Sequence, residues 1–270
     1  MRLFPLLPLA LASALALTAC QSKKEDNYVD TPVEQLYNQA TDNLLAERYV
    51  EAAKLFDEVE RQHPYSVWAA KAQLMAAYAH FQRDKHDDAL IALDRFIQLH
   101  PSSRDIAYAY YLKALCYYER IADVGRDQQM TQNALASLNE VVKRFPDSTY
   151  ARDARLKIDL TNDHLAGKEM EIGRYYQRQT QYVAAVNRYR RVIEEYQTTS
   201  HTPEALHRLV ESYLALGVKE EAQAAGAVLG HNFPGSDWYL DSYALLAGVD
   251  LRPKEDTGSW ITRAFKLKLF

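Results

Sequence analysis

The sequence predicts an all-α fold, a superhelical solenoid of about five helix pairs with a capping helix at its C-terminal end. Three observations carry this. Glycine is scarce, 9 in 270 residues, and no run alternates β-branched with polar residues, while alanine, leucine, glutamine and tyrosine are abundant. Alanine and proline recur at a fixed interval: Ala52 and Pro64, Ala89 and Pro101, Ala134 and Pro146, Ala222 and Pro234 are each twelve residues apart. The copies also match in between. Four residues after each alanine come Phe56, Leu93, Leu138 and Gly226; seven after come Val59, Phe96, Val141 and Leu229.

Each part of the pattern has a physical cause. Offsets of four and seven put side chains on one helical face. A small alanine lets that helix approach its neighbour. Proline ends the helix, because the residue before it is pushed out of the α region. A serine stands two positions after each proline, at Ser66, Ser103, Ser148 and Ser236, where its hydroxyl can cap the next helix. Twelve residues before the alanine, the preceding helix carries a compact residue: Ala40, Ala77, Gly173 and Val210. A fifth copy has Ala185, Tyr189 and Val192, with Gln197 in place of the proline. The five alanines are 37, 45, 51 and 37 residues apart, against an ideal period of about 34. This is the helix–turn–helix unit of the tetratricopeptide repeat.

In chain order, residues 1–19 read as a lipoprotein signal peptide: a Met1-Arg2 start, an apolar stretch from Leu3 to Leu17, and Thr18-Ala19 before Cys20. That stretch is too short to span a bilayer, which takes roughly 20 apolar residues. Cleavage would leave Cys20 to carry acyl chains on its sulfur and its amine, and more than one chain makes a stable anchor. Gln21, where an aspartate would signal inner-membrane retention, points to the outer membrane. Residues 20–30 are a polar, lipid-anchored tether, 31–148 hold repeats 1–3, 149–250 hold repeats 4–5 and the cap, and 251–270 form a tail.

Helices are expected at 33–46 and 49–62, 67–83 and 86–99, 104–122 and 130–144, 149–179 and 182–196, 203–216 and 218–231, with the cap at 237–247. The first opens on a capping box, Thr31-Pro32-Val33-Glu34. Asp123 to Gln129 reads as a loop insertion. The tail ends in strict alternation from Ala264 to Phe270, like the targeting signal of a β-barrel protein. It reads either as a segment occupying a groove or sheet edge, or as a disordered end.

A lipobox cysteine, a short tether and five such repeats resemble the BamD family, lipoproteins of the outer-membrane β-barrel assembly machine. Leu93 to Pro101 is similar to the family's second-repeat segment, and Val183 to Arg188 to its fourth. The resemblance implies a place on the periplasmic face of the outer membrane. It implies C-terminal repeats that hold the barrel-forming subunit, N-terminal repeats that engage unfolded β-barrel proteins, and accessory lipoproteins as further partners. Arg188 matches the family arginine that contacts an acidic residue of the barrel-forming subunit. His63 stands where the family has an aromatic residue implicated in substrate contact. Gln197, for proline, implies a looser turn between the fourth and fifth units.

In a stack of this kind the first helices line a concave groove. The register turns Tyr37, Thr41, Leu44, Lys71, Leu74 and Tyr78 inward, followed by Phe81, Tyr108, Tyr111 and Tyr118. Further on come Met170, Arg174, Gln177, His207 and Glu211, a more polar lining. Tyr78, Phe81 and Tyr111 form the candidate peptide platform, with His63 beside it. Against this, tyrosine is common in the cores of such repeats, and 19 of them cannot all bind ligands.

No catalytic constellation is visible: no Gly-x-Ser-x-Gly, no phosphate-binding glycine loop, no His-Glu-x-x-His. Hence no enzyme, metal or cofactor is expected. A net charge of −4 argues against nucleic acid as a partner, and leaves the lipid anchor as the only membrane contact. Cys116, in an apolar run, reads as a buried inert thiol. A second reading is a lipoprotein adaptor for cell-wall hydrolases or division proteins. A lytic transglycosylase would need an appended domain with a catalytic glutamate, for which no room is left after residue 250.

Overall fold

Ser66, Ser148 and Ser236 each cap a helix with the side-chain oxygen, accepting from the backbone N–H of Ala69, Ala151 and Trp238. These caps punctuate a computed structural model that describes residues 31–267. The Cys20 anchor, the signal peptide, the tether and the final Lys268-Leu269-Phe270 lie outside the described residues.

The described residues form helices only: α1 (Val33–Leu45), α2 (Tyr49–Gln62), α3 (Val67–Phe81), α4 (His86–Leu99), α5 (Ile106–Tyr118), α6 (Gln129–Arg144), α7 (Thr149–Arg178), α8 (Tyr182–Glu195), α9 (Thr202–Leu216), α10 (Lys219–Asn232), α11 (Asp237–Gly248) and α12 (Trp260–Leu267). Each helix packs on the next through α11. None of them is long and apolar enough to cross a membrane. The repeat alanines Ala52, Ala89, Ala134, Ala185 and Ala222 are all fully buried, as are Ala40, Ala77 and Val210 opposite them. Small residues at these facing positions let paired helices close to contact. Around them sit clusters joining α1–α3, α3–α5, α5–α7 and, as one larger core, α7–α12.

Within a pair the chain turns through one left-handed residue. Glu47, Asp84, Thr180 and Gly217 have φ of 58°, 58°, 57° and 74°. The next N–H reaches back five residues, as Lys85 donates to the His80 carbonyl at 3.0 Å. In the third unit residues 119–128 replace this turn. The buried Gln128 amide fastens them, donating to the carbonyls of Asp123, Val124 and Arg126 at 3.2, 3.4 and 3.1 Å. Lys168 on α7 donates to the Gly125 carbonyl at 3.1 Å and pins the loop to the long helix.

Several local expectations are corrected. Thr31 does not build the predicted box: Pro32 stands at the cap with no side-chain hydrogen bond, and the Thr31 N–H donates to Gln62 Oε1 at 3.0 Å. Ser103 accepts from Asp105 N–H, so it shapes a turn and α5 begins only at Ile106. The turn at Gln197 is tightly held despite its lost proline. Thr199 Oγ1 donates to the Tyr196 carbonyl at 2.8 Å, Thr202 Oγ1 to Gln197 at 2.9 Å, and Ser200 to Asp163. The tail alternation does not govern its described part, which is the helix α12. Ile261 and Phe265, four apart, enter the large core, and this burial outweighs the period-two pattern.

Candidate functional site

The first helices carry a ring ladder between units. Three residues before Ala40, Ala77, Ala114, Gly173 and Val210 stand Tyr37, Leu74, Tyr111, Met170 and His207; four after three of the prolines stand Trp68, Tyr150 and Trp238. Stacking brings the two positions together across unit boundaries. Tyr37 meets Trp68 with centroids 4.6 Å apart, Tyr111 meets Tyr150 at 5.3 Å, and His207 meets Trp238 at 5.2 Å. Cations lie against the same surface: Lys71 over Tyr37 at 5.9 Å, Lys157 over Tyr118 at 5.1 Å and Arg208 over Trp238 at 5.5 Å.

Of the predicted platform, Tyr111 joins a run of phenol rings with Tyr150 and Tyr108. Tyr108 packs on Tyr150 at 5.4 Å, and Tyr150 stacks on Tyr111. Burial raises the Tyr108 phenol, with the Tyr78 phenol adding to it. Tyr78 bridges two core clusters and its hydroxyl accepts from Gln82 at 2.8 Å. Tyr111 donates to Asp153, which also takes Lys157 at 3.2 Å. Burial and that bond both raise the Tyr111 phenol, and the same bond holds Asp153 below the usual carboxylate range. Phe81 turns its ring edge to His86 at 5.6 Å. His63 Nε2 bonds the Thr31 carbonyl at 2.7 Å, so it ties down the entry of the chain.

The predicted groove lining is otherwise thinned. Tyr37, Leu44, Leu74, Met170 and His207 are buried. A first helix is flanked by its own second helix and by the preceding pair, so only a narrow face stays open. Thr41, Lys71, Tyr118, Arg174, Gln177 and Glu211 keep part of their surface.

Arg188 sits on α8, a second helix, with its side chain 34% exposed, and donates to Glu169 Oε2 at 3.1 Å. Arg191 takes the other oxygen at 2.7 Å and also reaches Glu195. Glu169 is buried on α7, so two arginines neutralise one interior carboxylate. A second network runs between the fourth and fifth units. Arg174 grips both oxygens of Glu204 at 3.1 and 3.0 Å, Arg208 and Gln177 donate to Glu211 at 2.8 Å each, and Tyr189 donates to Gln177 at 2.7 Å. Burial would raise the Glu211 carboxyl, but the contacts with His207, Arg208 and Gln177 outweigh it and bring it down to about 2. Among the described residues no group of His, Cys, Asp and Glu could hold a metal. Cys116 is fully buried, and burial pushes its thiol up to about 12.

Residues 29–229 match the YfiO family, described as an outer membrane lipoprotein. The chain belongs to the YfiO family. This family member is 52% identical over 244 residues to the outer membrane protein assembly factor BamD of Caulobacter vibrioides, covering 90% of this chain and 80% of the relative. It is 47% identical over 246 residues to BamD of Rickettsia prowazekii, covering 91% and 98%. Among solved structures it is similar to the TPR2AB domain of yeast Sti1 in its pHSP90 complex, at 12% identity and a TM-score of 0.42, covering 80% of this chain and 84% of that one.

Two residues of this YfiO-family chain escaped the sequence reading. Tyr150 had a usable signal, the offset of four from a proline that it shares with Trp68 and Trp238. Glu169 had none, because a buried carboxylate reads like any solvated one on a charged helix.

Proposed function

We propose that this chain is a non-catalytic docking scaffold for the assembly of β-barrel proteins at the outer membrane. The observation that carries the proposal is the 52% identity, over 90% of the chain, to a relative named outer membrane protein assembly factor. In this reading Cys20 holds the protein on the periplasmic face through its acyl chains, and residues 20–30 are the tether. Repeats 1–3 present Tyr78, Tyr108 and Tyr111 to extended, aromatic-bearing barrel precursors. Repeats 4–5 hold the barrel-forming subunit. Arg188 supports that last assignment: a third of its side chain remains open, and Glu169 fixes the guanidinium from behind while leaving further N–H donors for a partner carboxylate.

The test is detergent extraction and pull-down of wild type, Arg188→Gln and Arg188→Glu. The expected result is loss of one barrel-sized partner in both variants with helical circular dichroism retained, and a lowered unfolding midpoint, more so in Arg188→Glu, which sets a second carboxylate against the buried Glu169. Equal recovery at all three would overturn the role of Arg188. Co-purification of murein enzymes instead would favour the cell-wall adaptor reading. Cys20→Ser should release the protein from the membrane fraction.

A further inference from the structure

Arg178 closes α7 with an exposed guanidinium that meets no partner among the described residues. It stands at an open cleft of about 400 Å³, lined with Arg174, Gln177, Tyr182 and Arg208 as well. The cleft lies where the fourth unit meets the fifth, between the end of α7, the start of α8 and one face of α9. Arg174 and Arg178 are four residues apart and so share one side of α7. The Tyr182 hydroxyl, like Arg178, has no hydrogen bond among the described residues.

The other two arginines are fixed from behind. Arg174 spends only Nη1, on the two oxygens of Glu204. Arg208 spends Nε on Glu204 at 3.4 Å and Nη1 on Glu211 at 2.8 Å. Nε and Nη2 of Arg174 and Nη2 of Arg208 therefore keep N–H donors to offer. Three guanidinium groups stand against two carboxylates, so the cleft holds one positive charge in surplus. A cation in the last turn suits the dipole of α7, but that attraction uses none of the Arg178 hydrogen-bond donors. Planar donors held in place lose little freedom on taking a further acceptor.

We propose that this cleft receives a carboxylate of an extended acidic peptide, one with an aromatic or apolar residue next to the acid. Charge selects the group. A single carboxylate balances the surplus, whereas a phosphate dianion would set extra negative charge against Glu204 and Glu211. Paired guanidinium N–H groups also match the two oxygens of a carboxylate. The open shape selects a polypeptide over a small acid, because an exposed ion pair by itself holds weakly. Tyr175 supplies the second contact: it is 55% exposed and lies three residues before Arg178, beside it on α7. The proposal goes beyond the barrel-assembly reading and stands without it, since it rests only on the residues of the cleft.

The probe is a short labelled peptide of alternating Glu and Tyr, titrated against the full chain by fluorescence anisotropy. The chain as a whole carries a net charge of −4, so bulk charge repels this probe. Saturable binding is expected, about tenfold or more weaker when Gln replaces Glu in the peptide, and about tenfold weaker for Arg178→Gln. Arg152→Gln removes the same charge from an exposed position near the other end of α7 and should bind as the wild type does. Circular dichroism checks that both variants fold. Absent binding, equal binding of the Gln peptide, or equal weakening by Arg152→Gln and Arg178→Gln overturns the proposal. Inorganic phosphate that displaces the peptide better than acetate does at equal ionic strength also overturns it, because the cleft then prefers a dianion.

Discussion

Gly173→Ala should destabilise the protein even though it replaces a helical glycine with the best helix former. Gly173 lies inside α7, and a Cβ built there would meet the Tyr189 ring, with Cδ1 and Cζ both at 2.9 Å. Tyr189 is fully buried among the large core, so its ring has no free space to enter. Overpacking of this kind costs about 1–3 kcal/mol. Relief of the glycine's backbone entropy returns about 1 kcal/mol. Displacing Tyr189 also strains its bond to Gln177 at 2.7 Å, worth about 1 kcal/mol. The net expectation is a loss of roughly 1–3 kcal/mol on the same scales. Urea unfolding followed by far-UV circular dichroism measures it. A double-mutant cycle isolates the cause: in a Tyr189→Leu background the clash is gone, and Gly173→Ala should become neutral or stabilising. The two substitutions should therefore couple by about 1–3 kcal/mol. If Gly173→Ala stabilises the wild type, or if the two effects simply add, close approach is not what this glycine provides.

The Glu211 carboxyl falls from 4.5 to about 2 on folding, so its contribution, at most about 3 kcal/mol, is complete above pH 4.5 and fades as pH drops toward 2. Stability of wild type and Glu211→Gln should converge across that window, and parallel curves would refute the assignment. Gln128→Ala frees three carbonyl partners, costing about 1–3 kcal/mol locally, and should speed amide exchange in residues 119–128 while α1–α4 stay protected. Tyr111→Phe keeps the stack on Tyr150 but removes the donor to Asp153, so the Asp153 carboxyl should titrate at higher pH by NMR. Cys116, with its raised thiol and full burial, should react with an alkylating reagent only at the rate of unfolding.

The sequence by itself determined the class of fold, the pairing of helices and the place of nearly every turn. These depend on neighbours in the chain: an alanine, its apolar followers and a proline at fixed offsets act within one helix and its cap. Ser66 and Ser148 were readable for the same reason, because a cap reaches only three residues.

Tertiary structure decided which faces close. Arg188 and Glu169 lie 19 residues apart and meet because α7 and α8 pack side by side, a contact that depends on a stacking offset no local pattern records. Burial of Tyr37, Met170 and His207 followed from the same stacking, as did the helical state of α12, where contact with α10 overrode alternation. Periodicity specifies what a segment can present; the rotation between adjacent pairs, a small sum over many side-chain contacts, specifies what it meets.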